Sequence, residues 1–207
     1  MTLARSLDCG LAELGLDPTA AERDTLLRFL ALLGKWNKTY NLTAIHSPES
    51  MLVLHILDSL TLAPHIGTGP LLDVGSGAGF PGIPLAILRP GLEVTLMDAS
   101  QKKCVFMQQA AIELKLNNVK VVHARVEAFQ TPAKFEQIVS RAFSDLSEFV
   151  RVSGHLLAPG GNWLAMKGAY PAAEISELKM ARLQRALPLR VPGLDAERSL
   201  IIMEAIR

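Results

Sequence analysis

Three glycines at alternate positions, Gly75, Gly77 and Gly79, sit between Leu71-Leu72-Asp73-Val74 and Phe80-Pro81-Gly82-Ile83-Pro84. Apolar residues running into such a cluster read as a buried strand entering a tight turn. Without Cβ atoms in the way, a small ligand reaches the turn's main-chain N–H groups. The chemistry open to this turn is recognition of something nucleotide-like, in the crevice beyond the strand's carboxyl end. A dinucleotide fingerprint needs Gly or Ala three residues after the second glycine, and that position holds bulky Phe80, which disfavours nicotinamide or flavin. A nucleotide-triphosphate loop needs Gly-Lys-Ser/Thr at its end, and none follows. Asp98 lies 19 residues past Gly79, where a carboxylate accepts both ribose hydroxyls of a nucleoside. Capping of the next helix is its rival role.

The elements that must hold these residues follow from periodicity. Residues 3 to about 65 read as helical, with Leu26, Leu27, Phe29, Leu30, Leu32 and Leu33 on one apolar face and a start at Pro18 or Thr19. Strands are expected at 71–74, 93–98, 119–123, 136–140 and 162–166, with a helix over 81–87 after the glycines. A helix over 146–157 is expected to close at Pro159-Gly160-Gly161. The tail reads as a helix near 172–184 and strands near 186–191 and 199–206, with Pro188 and Pro192 suited to an edge. The division is a helical cap, residues 1–66, before a sheet domain, residues 67–207, packed as one unit.

At 207 residues the chain suits one domain with a modest extension, and 49% hydrophobic residues supply a core. No apolar run reaches the roughly 18 residues that a membrane span needs, and the first residues lack a signal peptide's apolar stretch. A monomeric cytoplasmic protein with no membrane partner is expected. Two cysteines, Cys9 and Cys104, far apart and outside any C-x-x-C, indicate reduced thiols with neither a disulfide framework nor a metal site. A net charge of +1 is weak for gripping naked nucleic acid through phosphates alone. RNA binding would rest on a local basic patch and on shape.

The string Asp73-Val74-Gly75-Ser76-Gly77-Ala78-Gly79-Phe80 resembles motif I of S-adenosylmethionine (SAM) methyltransferases. With Pro81-Gly82-Ile83-Pro84-Leu85 attached it is similar to the ribosomal small-subunit methyltransferase G family, also called glucose-inhibited division protein B. Trp36-Asn37-Lys38 with Asn41-Leu42-Thr43, and His55-Ile56-Leu57-Asp58-Ser59, match two further family strings. Leu54 and Ala99 depart from the family's Arg and Ser. The resemblance implies an α/β fold of class I SAM-dependent methyltransferases, a Rossmann-like seven-stranded and mostly parallel sheet with an N-terminal helical extension and a closing antiparallel pair. It implies SAM as cofactor, bound by Gly75, Gly77, Gly79, Phe80, Asp98, Val126, Glu127 and Arg141. The substrate implied is 16S rRNA, methylated at guanine N7 near the decoding centre, in the small subunit or an assembly intermediate.

Several residues keep two readings. Lys35, Lys38 and Asn41 face RNA or finish a helix C-terminus, and Trp36 fits a core. Lys102 and Lys103 meet phosphate or form a solvated pair. Lys167, at a strand's carboxyl end, faces phosphate or is structural. Glu127 reads adenine through main-chain groups or caps a short helix, and His55 with Asp58 pair structurally on one helix face. Arg141 in Arg141-Ala142-Phe143 keeps its charge, so it makes a poor base and a good clamp for a carboxylate or phosphate. Cys104 is a buried small residue or a nucleophile for pyrimidine C5. Guanine N7 carries a lone pair and no proton, so no catalytic base is expected, and none stands out. Two rivals remain: a methyltransferase of small molecules or proteins, and a non-catalytic RNA-binding assembly factor.

Overall fold

The computed structural model describes residues 2–141 and 143–206; Met1, Ala142 and Arg207 lie outside the described residues. Two long helices open the chain, α1 (Leu3–Glu13) and α2 (Ala20–Tyr40). The start of α2 is built by a capping box, in which the Thr19 hydroxyl accepts from Glu22 N–H and the Glu22 carboxylate accepts from Thr19 N–H. Its end is Asn41 in the left-handed region, at φ 48°. A short α3 (Pro48–Met51) then widens into a π-helix, Leu52–Leu57, and returns to α4 (Asp58–Leu60). Such widenings re-aim side chains and concentrate at functional sites. This one carries His55 and delivers Asp58.

The sheet has seven strands: β1 (Leu71–Val74), β2 (Val94–Asp98), β3 (Val119–His123), β4 (Phe135–Ser140), β5 (Leu157–Lys167), β6 (Ala181–Pro188) and β7 (Ser199–Ala205). Their order is β3-β2-β1-β4-β5-β7-β6. The first five are parallel, and β7 inserts antiparallel between β5 and β6. Strand order reverses between β1 and β4, the place where open α/β sheets bind ligands. The crossovers are α5 (Gly82–Leu88), α6 (Gln101–Glu113) and α7 (Leu146–Ser153), and a single short helix, α8 (Ala172–Ser176), precedes β6.

Alternation across β1 sorts the core. Leu71 faces one apolar cluster, made with α2, α5, α6 and the cap, while Leu72 and Val74 face a second, made with α7 and Trp163. The first cluster runs from Leu7 to Ile202, so cap and sheet share one interior.

The tail departs from expectation in two places, and a bulge interrupts the strand at each. The expected helix over 146–157 is α-helical to Ser153 and finishes as a 3₁₀ turn over Gly154–Leu156, while β5 starts at Leu157, ahead of the expected 162. From Phe135–Leu157 to Gln137–Asn162 the register advances two residues on β4 and five on β5. Pro159-Gly160-Gly161 therefore bulges out of a continuous strand and does not mark its beginning. The expected helix near 172–184 ends at Ser176, and β6 covers Ala181–Pro188, displacing the strand expected near 186–191. Between Leu183 and Arg185 one residue of β6 is unmatched on β7, and the extra residue breaks the period of two. Pro188 does lie on an edge strand.

Candidate functional site

Asp73 organises the glycine loop from below. Fully buried on β1, its Oδ2 accepts from Ser76 Oγ at 2.6 Å and from Gly82 N–H at 2.8 Å, while among the described residues Oδ1 has no partner. Burial pushes this carboxyl up to about 6 against those hydrogen bonds. The loop's amides turn out to be largely used within the protein. Gly75 and Ser76 N–H both donate to Met97 O, Gly79 and Phe80 N–H to Ser76 O, and Gly77 N–H to Asp98 Oδ2 at 2.9 Å. The loop thus offers shape more than donors. A Cβ built on Gly77, at φ 63°, meets nothing nearer than Gly75 O at 4.0 Å and points into open space. Gly79 does not line the cleft: a Cβ there would strike the Ile83 side chain, so this glycine lets the loop lie against α5.

Two hollows flank the loop, and Gly75 lines both. The first, about 290 Å³, is lined by residues that include Met97, Asp98, Ala99, Val126, Glu127 and Phe143. The second, about 230 Å³, includes Leu42, Thr43, His55, Gly77, Phe80 and Arg141. Apart from Gly79, every residue expected to hold cofactor lines one hollow or the other. Asp98 stands at the junction, with Oδ1 accepting from Ser100 N–H at 2.8 Å and Oδ2 from Gly77 N–H. Each carboxylate oxygen keeps acceptor capacity for a hydroxyl. Val126–Ala128 forms a single 3₁₀ turn with no side-chain cap, so Glu127 lies inside that turn and does not cap it.

Arg141 is held on several sides. Its Nη1 donates to Asp58 Oδ2 and to Leu54 O, both at 3.0 Å, Nη2 lies 3.4 Å from His55 Nδ1, and Cζ lies 5.3 Å from the Phe80 ring centroid. His55 stacks on the opposite partner of this assembly, the Phe80 ring, at 4.6 Å and 19°. Its Nε2 meets Thr43 Oγ1 at 2.9 Å. His55 and Asp58 do not pair with each other; both grip Arg141. Burial, then the Arg141 charge, lower His55 to about 4, so the ring is neutral at pH 7.

The loop carrying Leu42 and Thr43 is shaped by Asn37, which is buried: its Oδ1 accepts from Thr43 N–H at 2.9 Å and its Nδ2 donates to Ile45 O at 3.1 Å. Thr43 and His55, which wall the second hollow, and Asn37, which shapes the loop behind them, belong to strings singled out in the sequence, but the sequence does not point to these roles. The only signal was the density of amide and hydroxyl groups after a helix end.

The expected RNA-facing residues separate. Lys35 and Lys38 are exposed on α2, and Lys103 is half-buried on α6. Asn41 is exposed and also serves as the left-handed cap of α2. Lys102 Nζ donates to Tyr40 O at 2.9 Å, tying the start of α6 to the end of α2. Trp36 is half-buried between Tyr40 and Phe106. Lys167 does not present a free charge: Nζ donates to Phe143 O, Ser144 O and Glu174 Oε2 at 3.2, 2.9 and 2.7 Å, and its side chain is 10% exposed. It pins the loop that carries Phe143 into the first hollow. Lys167→Ala is accordingly expected to cost about 1–3 kcal/mol of stability in urea unfolding and to weaken SAM binding. Unchanged stability and SAM affinity with loss confined to RNA would return Lys167 to a phosphate. Cys104 is buried, its Sγ donating to Asp98 O at 3.3 Å, and burial, then the Asp98 charge, push its thiol up, which suits packing and not nucleophilic attack.

Asp73 and His55 make opposed contributions to stability against pH. The folded value of Asp73 is raised from 3.8 to about 6, so between pH 4 and 6 the folded state holds the extra proton and stability falls as pH rises. The folded value of His55 is lowered from 6.5 to about 4, so in nearly the same window the unfolded state holds the proton and stability rises with pH. Each is worth about 3 kcal/mol across its window, and they largely cancel. Relative to the wild type, His55→Gln should lose stability from pH 4 to 6 and Asp73→Asn should gain it, measured by urea unfolding at each pH. Parallel curves for all three proteins would remove both assignments.

Comparison with known proteins places this geometry. Residues 22–201 match the family model described as rRNA small subunit methyltransferase G. The chain is 50% identical over 203 residues to the ribosomal RNA small subunit methyltransferase G of Methylobacillus flagellatus, covering 98% of each. It is 53% identical over 206 residues to the protein of the same name from Chromobacterium violaceum, covering 98% of this chain and 99% of that one. Among solved structures, a SAM-dependent methyltransferase from Thiobacillus denitrificans, in complex with S-adenosyl-L-homocysteine, superposes with a TM-score of 0.54. It is 15% identical and is matched over 83% of this chain and 98% of its own, a likeness of fold, that of the class I SAM methyltransferases. A seven-stranded sheet with its cleft at the reversal of strand order, and half the residues shared with relatives over nearly the full length, establish that the chain belongs to the rRNA small subunit methyltransferase G family.

Proposed function

We propose that the protein is a SAM-dependent methyltransferase that modifies guanine N7 in 16S rRNA, presented within the small ribosomal subunit or an assembly intermediate. The observation that carries the cofactor half is the path of lining residues from Val126 and Glu127, past Asp98, to Arg141, across two hollows that share Gly75, with no side chain at Gly77. A nucleoside joined to an amino acid needs such a path: main-chain edges for the base, a carboxylate for ribose hydroxyls and a fixed cation for the carboxylate. SAM bound there would supply an electrophilic methyl group. Asp98, pre-set by two backbone donors, holds the ribose; Arg141, oriented by Asp58 and Phe80, clamps the carboxylate. Phe143 covers the first hollow and Thr43 with His55 wall the second.

No side chain needs to move a proton, because guanine N7 has none to lose. The protein's contribution is proximity, alignment and a fixed field. Lys35, Lys38 and Lys103 are the cations we assign to RNA phosphate, with Asn41 and Lys102 shaping the surface between α2 and α6. Among the described residues no helix is long and apolar enough to cross a membrane, and we assign the protein to the cytoplasm as a monomer.

Transfer of radiolabelled methyl from SAM to small-subunit particles lacking the modification tests this, with naked RNA and large subunits in parallel. Label recovered as 7-methylguanosine from small-subunit RNA alone is the expected result. SAM binding without label on any RNA would move the activity to a small-molecule or protein substrate.

A further inference from the structure

A separate concavity of about 370 Å³ opens where β5 and β6 end and β7 begins, lined in part by Gly168, Tyr170, Pro188, Glu197, Arg198 and Ser199. Register places it on the same edge of the sheet as the cofactor cleft, since Lys167 pairs with Ser199 and Ser199 with Pro188. Three features mark it as more than a gap. The Tyr170 ring forms part of the wall yet is 54% exposed. The exposed Glu197 carboxylate makes no hydrogen bond or ion pair among the described residues, while the main-chain carbonyl of the same residue accepts from Arg198 Nη1 at 2.9 Å. Arg198 Nε donates to Asp58 Oδ1 at 3.2 Å, and the other oxygen of Asp58 holds Arg141. One buried carboxylate therefore grips a guanidinium from each cavity.

We infer that this concavity seats the acceptor guanine, swung out of its RNA stack, with Tyr170 as the stacking face and Glu197 as the acceptor for the base's N1–H and N2–H donors. The inference rests on the RNA-methylating reading above. Enzymes acting on a base in this way read its Watson–Crick edge and stack its face. A carboxylate meets two donors on guanine, whereas adenine turns an acceptor, N1, toward it, so Glu197 selects between the purines. A guanine held by that edge keeps N7, which lies on its major-groove edge, turned away from Glu197. Arg198 and Arg141, joined through Asp58, keep the two cavities in fixed relation.

The test uses the intact protein, small-subunit particles lacking the modification, and SAM calorimetry on every variant. Tyr170→Ala and Glu197→Gln are expected to bind SAM within about twofold of the wild type and to lose about tenfold or more in kcat/KM for particles, the scale of one lost stacking or edge contact. Tyr170→Phe, which keeps the ring, should recover most of the loss. Particles rebuilt with inosine, which lacks the N2 amine, at the labelled nucleotide should be poorer substrates for the wild type and no worse than guanine for Glu197→Gln. Wild-type activity on particles with both variants unaffected overturns the base pocket and leaves the RNA-methylating reading standing. Loss of SAM affinity in either variant overturns it by assigning the concavity to the cofactor. No label on any RNA from the wild type overturns both readings.

Discussion

Gly77→Asp should raise the dissociation constant for SAM by at least about 100-fold, equivalent to about 2.7 kcal/mol, in a protein that still folds. The position sits at φ 63° with open space where a Cβ would be, so any side chain projects into the path between Asp98 and Arg141. Aspartate adds a second negative charge beside Asp98, whose Oδ2 already accepts from this residue's N–H. It would stand where the clamped carboxylate of SAM is expected, and like charges in a partly dry cleft repel strongly. The left-handed backbone adds roughly 1–2 kcal/mol of strain, which a domain of this size tolerates. Gly77→Ala separates the contributions: it carries the strain without the charge and should lose much less affinity. Calorimetry with SAM, beside a thermal melt of each variant, decides the matter, and wild-type affinity in Gly77→Asp would remove this loop from the cofactor site.

Asp58→Ala should be the most damaging substitution in the cap. The carboxylate is 4% exposed and balances two guanidiniums, Arg141 at 3.0 Å and Arg198 at 3.2 Å. Removing one member of a buried ion network strands the others and typically costs about 3–5 kcal/mol; the two arginine side chains, 25% and 27% exposed, recover some of this from water. A loss of about 2–3 kcal/mol is therefore expected in urea unfolding. SAM affinity should fall as well, because Arg141 loses the group that aims it. Asp58→Asn keeps the volume and one acceptor and should fall between. A stable Asp58→Ala protein with normal SAM affinity would mean that Leu54 O and the Phe80 ring orient Arg141 unaided.

What the sequence showed and what it hid divide by range. The strand, glycine loop, helix start and Asp98 are close along the chain, and each has a local signature, so they could be read before the fold was known. The partners of Arg141 lie 83 and 87 residues away, and no local pattern announces them. The three carbonyl and carboxylate partners that use up the charge of Lys167 come from a loop and from α8, the helix whose length was misjudged. Asp73 was legible as a strand residue but not as the group that ties Ser76 to Gly82. Its task becomes visible only once the loop folds back over the strand. The misplaced β6 and the early start of β5 both involve strands interrupted by a bulge: periodicity assumes unbroken register, and a bulge shifts the phase of everything beyond it.

The interior shared by the cap and the sheet bears on how such a protein can be recombined. Leu26, Phe29 and Leu33 of α2 lie in one continuous cluster with Ile83, Phe106 and Leu200, and the second hollow takes Leu42, Thr43 and His55 from the cap but Gly77 and Arg141 from the sheet. A chimaera joined near residue 66, with the cap of one relative and the sheet of another, would exchange half of a jigsaw and half of a binding cleft together. Crossovers that respect this fold must carry complementary changes on both sides of the join, so the segment before β1 is inherited with its sheet and not as a detachable module.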